Sequence, residues 1–267
     1  MTVLSDHISQ LTWENQPRNT MALANIITGQ SIRPPRVLLM GTPGIGKTTF
    51  AAGAPKPIFI QTEDGADVVG AARFPLATSF AAVMADLTTL ATETHDYQTV
   101  VIDSLDPLEV LIHAQVNTEH TEKDLAYGKG VLFANDKWRD VLDALTYLRN
   151  ERQMIVILVA HTQIKRFDNP ETDSYDRYIP RLNEKTAGIV SAWADAHLFA
   201  AYKIFTKETE VGFNKDVRRG VGAGERVLYT SERPAYLAKN RFSLPHELSM
   251  NWQAFAEAVT VCTAGKK

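Results

Sequence analysis

Val37, Leu38, Leu39 and Met40 run directly into Gly41-Thr42-Pro43-Gly44-Ile45-Gly46-Lys47-Thr48, so an apolar strand candidate ends in the pattern G-x-x-x-x-G-K-[ST]. The glycines let such a loop curl until successive backbone N–H groups converge, and a helix starting at Lys47 adds its positive end to the same point. A cradle of this kind takes phosphate. Lys47 is placed to reach the β and γ phosphates of a nucleotide and the Thr48 hydroxyl to ligate Mg²⁺, with Gly41 to Thr49 supplying the loop backbone. A strand, loop and helix in this order belong to the α/β class with a mostly parallel sheet.

Three further short apolar runs, Ile58 to Ile60, Thr99 to Ile102 and Ile155 to Ala160, have the composition of strands buried on both faces. Between them Phe80 to Thr92 and Leu132 to Arg149 show helical spacing, and Trp138, Val141, Leu142, Leu145 and Leu148 fall on one stripe of the second. This alternation predicts a mostly parallel central sheet with right-handed crossovers and helices on both faces. From Ala194 to Leu237 the pieces shorten, which predicts antiparallel strands added at the C-terminal side, a hairpin tip at Gly220 to Gly224 and a closing helix over Phe255 to Val261. Residues 1–35, ending in Arg33-Pro34-Pro35, read as an N-terminal extension, and 36–267 as one core.

The chain has 267 residues, 45% of them apolar, and no run approaches the roughly 20 apolar residues of a membrane span. A single cysteine, Cys262, forms no internal disulfide, and the polar start lacks an apolar signal core, so a cytoplasmic setting is expected. With a net charge of −3, any polyanion site must be local. His113 and His120 lack zinc-ligand neighbours.

Asp103 ends the run Thr99-Val100-Val101-Ile102, at the edge where open α/β sheets bind ligands, and is the second metal-side group beside Thr48. Asp106 reads as the cap of a helix beginning near Pro107. Phe59-Ile60-Gln61-Thr62-Glu63 puts another carboxylate just past the strand that follows the P-loop helix, while the residue after Asp103 is Ser104. In AAA+ proteins the catalytic acid adjoins the strand-end aspartate; the arrangement here resembles the RecA-like ATPases. That resemblance implies that Glu63 activates the attacking water, with Asp64 a rival, and that Asp67 contacts the adenine. It also implies that His161, ending Ile157-Leu158-Val159-Ala160, senses the γ-phosphate where most relatives carry Gln or Asn; a neutral imidazole also donates one hydrogen bond.

The segment Gln163 to Lys185 would then lead into a DNA-binding loop. It interleaves Lys165, Arg166, Arg177 and Arg181 with Phe167, Tyr175 and Tyr178, a mixture able to stack bases of a single strand, although its five cations face five acids. Asn117 to Gly130 is a second candidate loop. Tyr236 to Pro245 resembles the K-N-[KR] segment of RecA-like filaments, in which two cations reach the nucleotide of the neighbouring subunit; Lys239 and Arg241 would be those cations, on one face of an extended strand.

Together these motifs, from about Arg36 to Leu248, are similar to the RecA-core phage ATPases that act as single-strand annealing proteins. The resemblance implies ATP hydrolysis with Mg²⁺, single-stranded DNA binding, a homo-oligomeric ring or filament, a single-strand-binding protein as partner, and a phage-encoded protein in a bacterial host. A replication helicase loader acting through a protein partner also fits the P-loop. So does a small-molecule kinase with Arg177 and Arg181 in its lid.

Overall fold

The protein is described by a computed structural model covering residues 33–65, 69–210 and 216–264. Residues 33–267 form one compact unit; the expected extension lies, apart from residues 33–35, outside the described residues. Arg36–Gly41 (β1) sits between Ile155–Phe167 (β5) and Ala196–Glu210 (β7), parallel to both. Beyond β5 the parallel order continues through Thr99–Asp103 (β4), Pro57–Gln61 (β2) and Ala72–Arg73 (β3). Beyond β7, Asp216–Tyr229 (β8) and Glu247–Ser249 (β10) are antiparallel, as expected for the C-terminal side.

Strand alternation sorts the core into two layers. Leu38 and Met40 of β1 face Phe80–Thr92 (α2), Leu105–Glu119 (α3), Lys129–Glu151 (α5) and Glu184–Trp193 (α6), around the buried Trp138. Val37 and Leu39 face Lys47–Ala52 (α1) and Trp252–Ala264 (α7), where Phe50 packs edge-on against Trp252 and Phe255. Both faces are therefore covered, which accounts for the uninterrupted apolar runs of the central strands. Among the described residues no helix is long and apolar enough to cross a membrane.

Three expectations need correction. Gly220 and Gly222 are not a hairpin tip: they pair with Thr206 and Ile204 within the β7–β8 ladder. Asn117 to Gly130 is largely helical, comprising the end of α3, the short helix Glu122–Leu125 (α4) with its Thr121 capping box, and a 3₁₀ turn at Ala126–Gly128. Gln163 to Lys185 is for the most part a hairpin, because β5 continues to Phe167 and pairs antiparallel with Tyr175–Pro180 (β6).

At the opposite end of the strands, Lys239–Asn240 (β9) pairs with Ala196 and His197 of β7. His197 is fully buried, its Nδ1 lies 3.1 Å from Ser191 Oγ, and burial, with a contribution from Lys239, pulls its pKa from 6.5 down to about 3. Only the neutral ring suits the fold. The unfolded chain takes up this proton near 6.5 and the folded chain near 3, so the contribution is complete above pH 6.5 and is lost as pH falls toward 3. The expected slope in that window is about 1.4 kcal/mol per pH unit. Urea unfolding between pH 7 and pH 4 measures it; His197→Gln should flatten the slope, and an unchanged slope would contradict the assignment.

Candidate functional site

β1, β4 and β2 end, and β5 parts from β1, at one edge of the sheet, with Gly41 level with His161 and Gln61 level with Asp103. The loop leaving β1 bends at Gly46, whose φ of 102° suits glycine and caps α1 without a side-chain bond. Gly41 is constrained differently, since a Cβ there would stand 2.8 Å from Ala200 O. Lys47 folds back over the loop and donates to Gly41 O at 3.0 Å and Thr42 O at 3.1 Å. A cavity of about 280 Å³ opens beside it, lined by Gly44, Gly46, Lys47, Thr48, Glu63, Asp103 and His161.

Thr48 Oγ1 donates to Asp103 Oδ2 at 2.7 Å. Burial raises the Asp103 pKa, and Glu63 adds to the rise while Thr48 and Lys47 oppose it. Burial lowers the Lys47 pKa, against the pull of Asp103, Glu63 and Asp106. A buried ammonium, a buried carboxylate and a hydroxyl thus share the mouth of a loop rich in backbone donors, a donor set suited to a metal-bound polyphosphate. Residues 33–242, which contain this loop, the strand-end acid and β9, match the family described as the AAA domain. The chain belongs to that family. A search of curated proteins returns no match.

As an AAA-type P-loop ATPase domain, the chain is expected to use ATP and Mg²⁺, and the site fits them. Among the described residues no cluster of three or more His, Cys, Asp or Glu could hold a metal, so a divalent ion would depend on Thr48, Asp103 and the phosphates themselves. Thr42, Pro43, Ile45 and Thr49 lie in the loop and first turn as expected, with Ile45 buried beneath it. Glu63 stands just beyond β2, partly exposed, with Oε1 3.8 Å from His161 Nε2. Its neighbour Asp64 is exposed, and Asp67 lies outside the described residues.

Asp106 is not the helix cap the sequence suggested. Ser104 occupies the N-cap of α3, and the Asp106 carboxylate turns inward to His161, accepting from its backbone N–H at 3.0 Å and lying 3.2 Å from its ring Nδ1. Burial opposes ionisation of Asp106, but the two contacts with His161 outweigh it and hold the carboxyl below its ordinary pKa. Arg226 of β8 is a second residue without a sequence signal: its guanidinium donates to Ile45 O at 3.4 Å, and a Cβ on Gly46 would meet Nη1 at 2.8 Å.

The hairpin cations are less free than their sequence suggests. Lys165 pairs with Glu184 at 2.7 Å and Arg166 lies 3.8 Å from Asp168, both in solvent. Arg177 is buried, bonded to Glu232 and stacked 4.8 Å over the Phe167 ring, so it is not presented to a ligand. Tyr178 stacks on Phe199 inside the fold. Phe167 remains partly exposed against Tyr175, and Arg181 pairs with Asp106.

Lys239 and Arg241 both donate to Ala192 O at 3.2 Å, and Arg241 also reaches Asp195 at 3.4 Å. The two cations therefore share a face, while Asn240 turns the other way to bond Thr230 O and the Leu244 N–H. Asp195 is buried and also holds Arg36 at 2.8 Å and Arg149 at 3.2 Å. Lys239 is level with His197, roughly 10 Å further down β7 than Ala200, the residue beside Gly41. Both cations are out of reach of their own cradle.

Proposed function

We propose that the protein is an ATP-hydrolysing, single-stranded-DNA-binding recombination ATPase of phage type, whose hydrolytic site is completed by a second copy. The observation that carries the hydrolytic part is the Thr48–Asp103 contact of 2.7 Å beside the buried Lys47. Thr48 and Asp103 would hold Mg²⁺, which when bound neutralises charge on the β and γ phosphate oxygens. Lys47 and the loop N–H groups bind the triphosphate, Glu63 orients water, and His161 turns Nε2 toward the γ-phosphate, donating to it only as an imidazolium because the Asp106 carboxylate takes the Nδ1–H. Lys239 and Arg241 of one copy would act at the cradle of another, which suits two cations so far from their own loop. A ring or filament would satisfy that geometry, with a single-strand-binding protein as natural partner.

The DNA part is tested by fluorescence anisotropy of a labelled oligonucleotide, with and without ATP, over a salt series. ATP-dependent binding that weakens steeply with salt is expected; no binding at 50 mM salt would contradict it. A second reading has its own support, since the buried Arg177 and the paired Lys165 leave the hairpin with little free positive charge while Ile164 and Phe167 stay exposed. On that reading the ATPase is a loader acting on a replication protein, and a protein rather than an oligonucleotide stimulates turnover.

A further inference from the structure

One carboxylate joins the nucleotide cavity to the β5–β6 hairpin. Asp106 lies in the first turn of α3 with its side chain 5% exposed. Its Oδ2 accepts the His161 backbone N–H at 3.0 Å and faces ring Nδ1 at 3.2 Å, while its Oδ1 pairs with Arg181 Nε at 3.1 Å. The Arg181 N–H in turn donates to His161 O at 2.8 Å. Three residues from three parts of the chain thereby close a ring.

The position of that ring matters. His161 is the last residue of β5 paired with β1, and Thr162 with Pro180 forms the next, antiparallel pair, so the ring sits at the root of the hairpin. A carboxylate at Nδ1 takes that nitrogen's N–H and so fixes the orientation of the imidazole. Here it leaves Nε2 facing Glu63 and the cavity, an acceptor on the neutral ring and a donor to phosphate only on the imidazolium. A buried carboxylate held by two partners also resists losing either one, because the remaining charge would be left uncompensated.

We propose that Asp106 is a positioning residue that couples the two regions: the carboxylate that aims His161 at a bound triphosphate also pins the hairpin root through Arg181. This rests on the nucleotide reading above. Because coupling is reciprocal, a ligand on the hairpin would change nucleotide affinity by the same factor that the nucleotide changes affinity for that ligand.

Hydrogen–deuterium exchange over residues 162–181, with and without a non-hydrolysable ATP analogue, tests the coupling in wild type, Asp106→Asn and Arg181→Ala. The Arg181 side chain is 61% exposed, so its loss should leave the fold intact even if Asp106→Asn does not. In wild type the analogue should slow hairpin exchange by about fivefold or more, the lower end of ordinary allosteric factors. Either folded variant should bind the analogue within about threefold of wild type yet show less than about twofold slowing. Full slowing in the variants, or none in wild type with analogue bound, overturns the proposal. If wild type binds no analogue, the nucleotide reading has failed, and ¹⁵N NMR of the free protein then decides the positioning role. An Nδ1–H tautomer at His161 that changes in Asp106→Asn supports it, and an unchanged tautomer overturns it.

Discussion

Lys47→Ala is expected to lower ATP turnover by about 10²- to 10³-fold, the usual cost of losing one preorganised donor to developing charge. The ammonium is buried, and its bonds to Gly41 O and Thr42 O hold it over the loop. Burial already pulls its pKa down, and the charges of Asp103, Glu63 and Asp106 sustain the ion. Such a cation is costly to keep, and among the described residues no carboxylate pairs with it within 4 Å, so removing it strands no close partner and should leave thermal stability nearly unchanged. Loss of turnover at constant Tm would thus mark a functional lysine. Phosphate release beside a thermal melt measures both, and full hydrolysis by the variant would show that the cradle is misassigned.

Arg241→Ala should have an effect of similar or greater size, about 10³-fold on turnover, with analogue binding to the isolated subunit little changed. The guanidinium is 57% exposed and its bonds are to Ala192 O and, at 3.4 Å, to Asp195. Asp195 keeps Arg36 and Arg149 when Arg241 is removed, so the fold should survive. A loss of turnover cannot then be routed through the variant's own cradle, which lies at the other end of the strands. Arg36→Ala is the matched control: it removes the shortest contact to Asp195 and should lower Tm more than Arg241→Ala does.

The parallel core and the cradle could be read from sequence because both are local. Residues 37–40, 58–60, 100–102 and 155–160 are apolar throughout, since helices cover both sheet faces, and the P-loop is a backbone pattern that needs little tertiary support. Features set by distant partners carry no local signal. Gly220 to Gly224 looks like a turn, yet a β7–β8 ladder running from Glu210–Asp216 to Phe199–Tyr229 carries these glycines as strand residues. Summing charge over 163–185 discards register: Arg166 lies opposite Asp176, Arg177 is claimed by Glu232, and Lys165 by Glu184. Asp106 has the spacing of a cap, but its partner His161 is 55 residues further on. Arg226 reaches the P-loop only because β8 and β10 fold back past it, with Met250 N–H bonded to Arg226 O.

Mixing Lys47→Ala subunits, which keep their basic strand, with Arg241→Ala subunits, which keep their cradle, tests most directly whether one copy completes another. Each variant alone should show only its residual turnover. In mixtures, interfaces that set an intact cradle against an intact β9 should restore hydrolysis, with a maximum at intermediate ratios. No recovery at any ratio, with both variants folded and associated, would contradict the account.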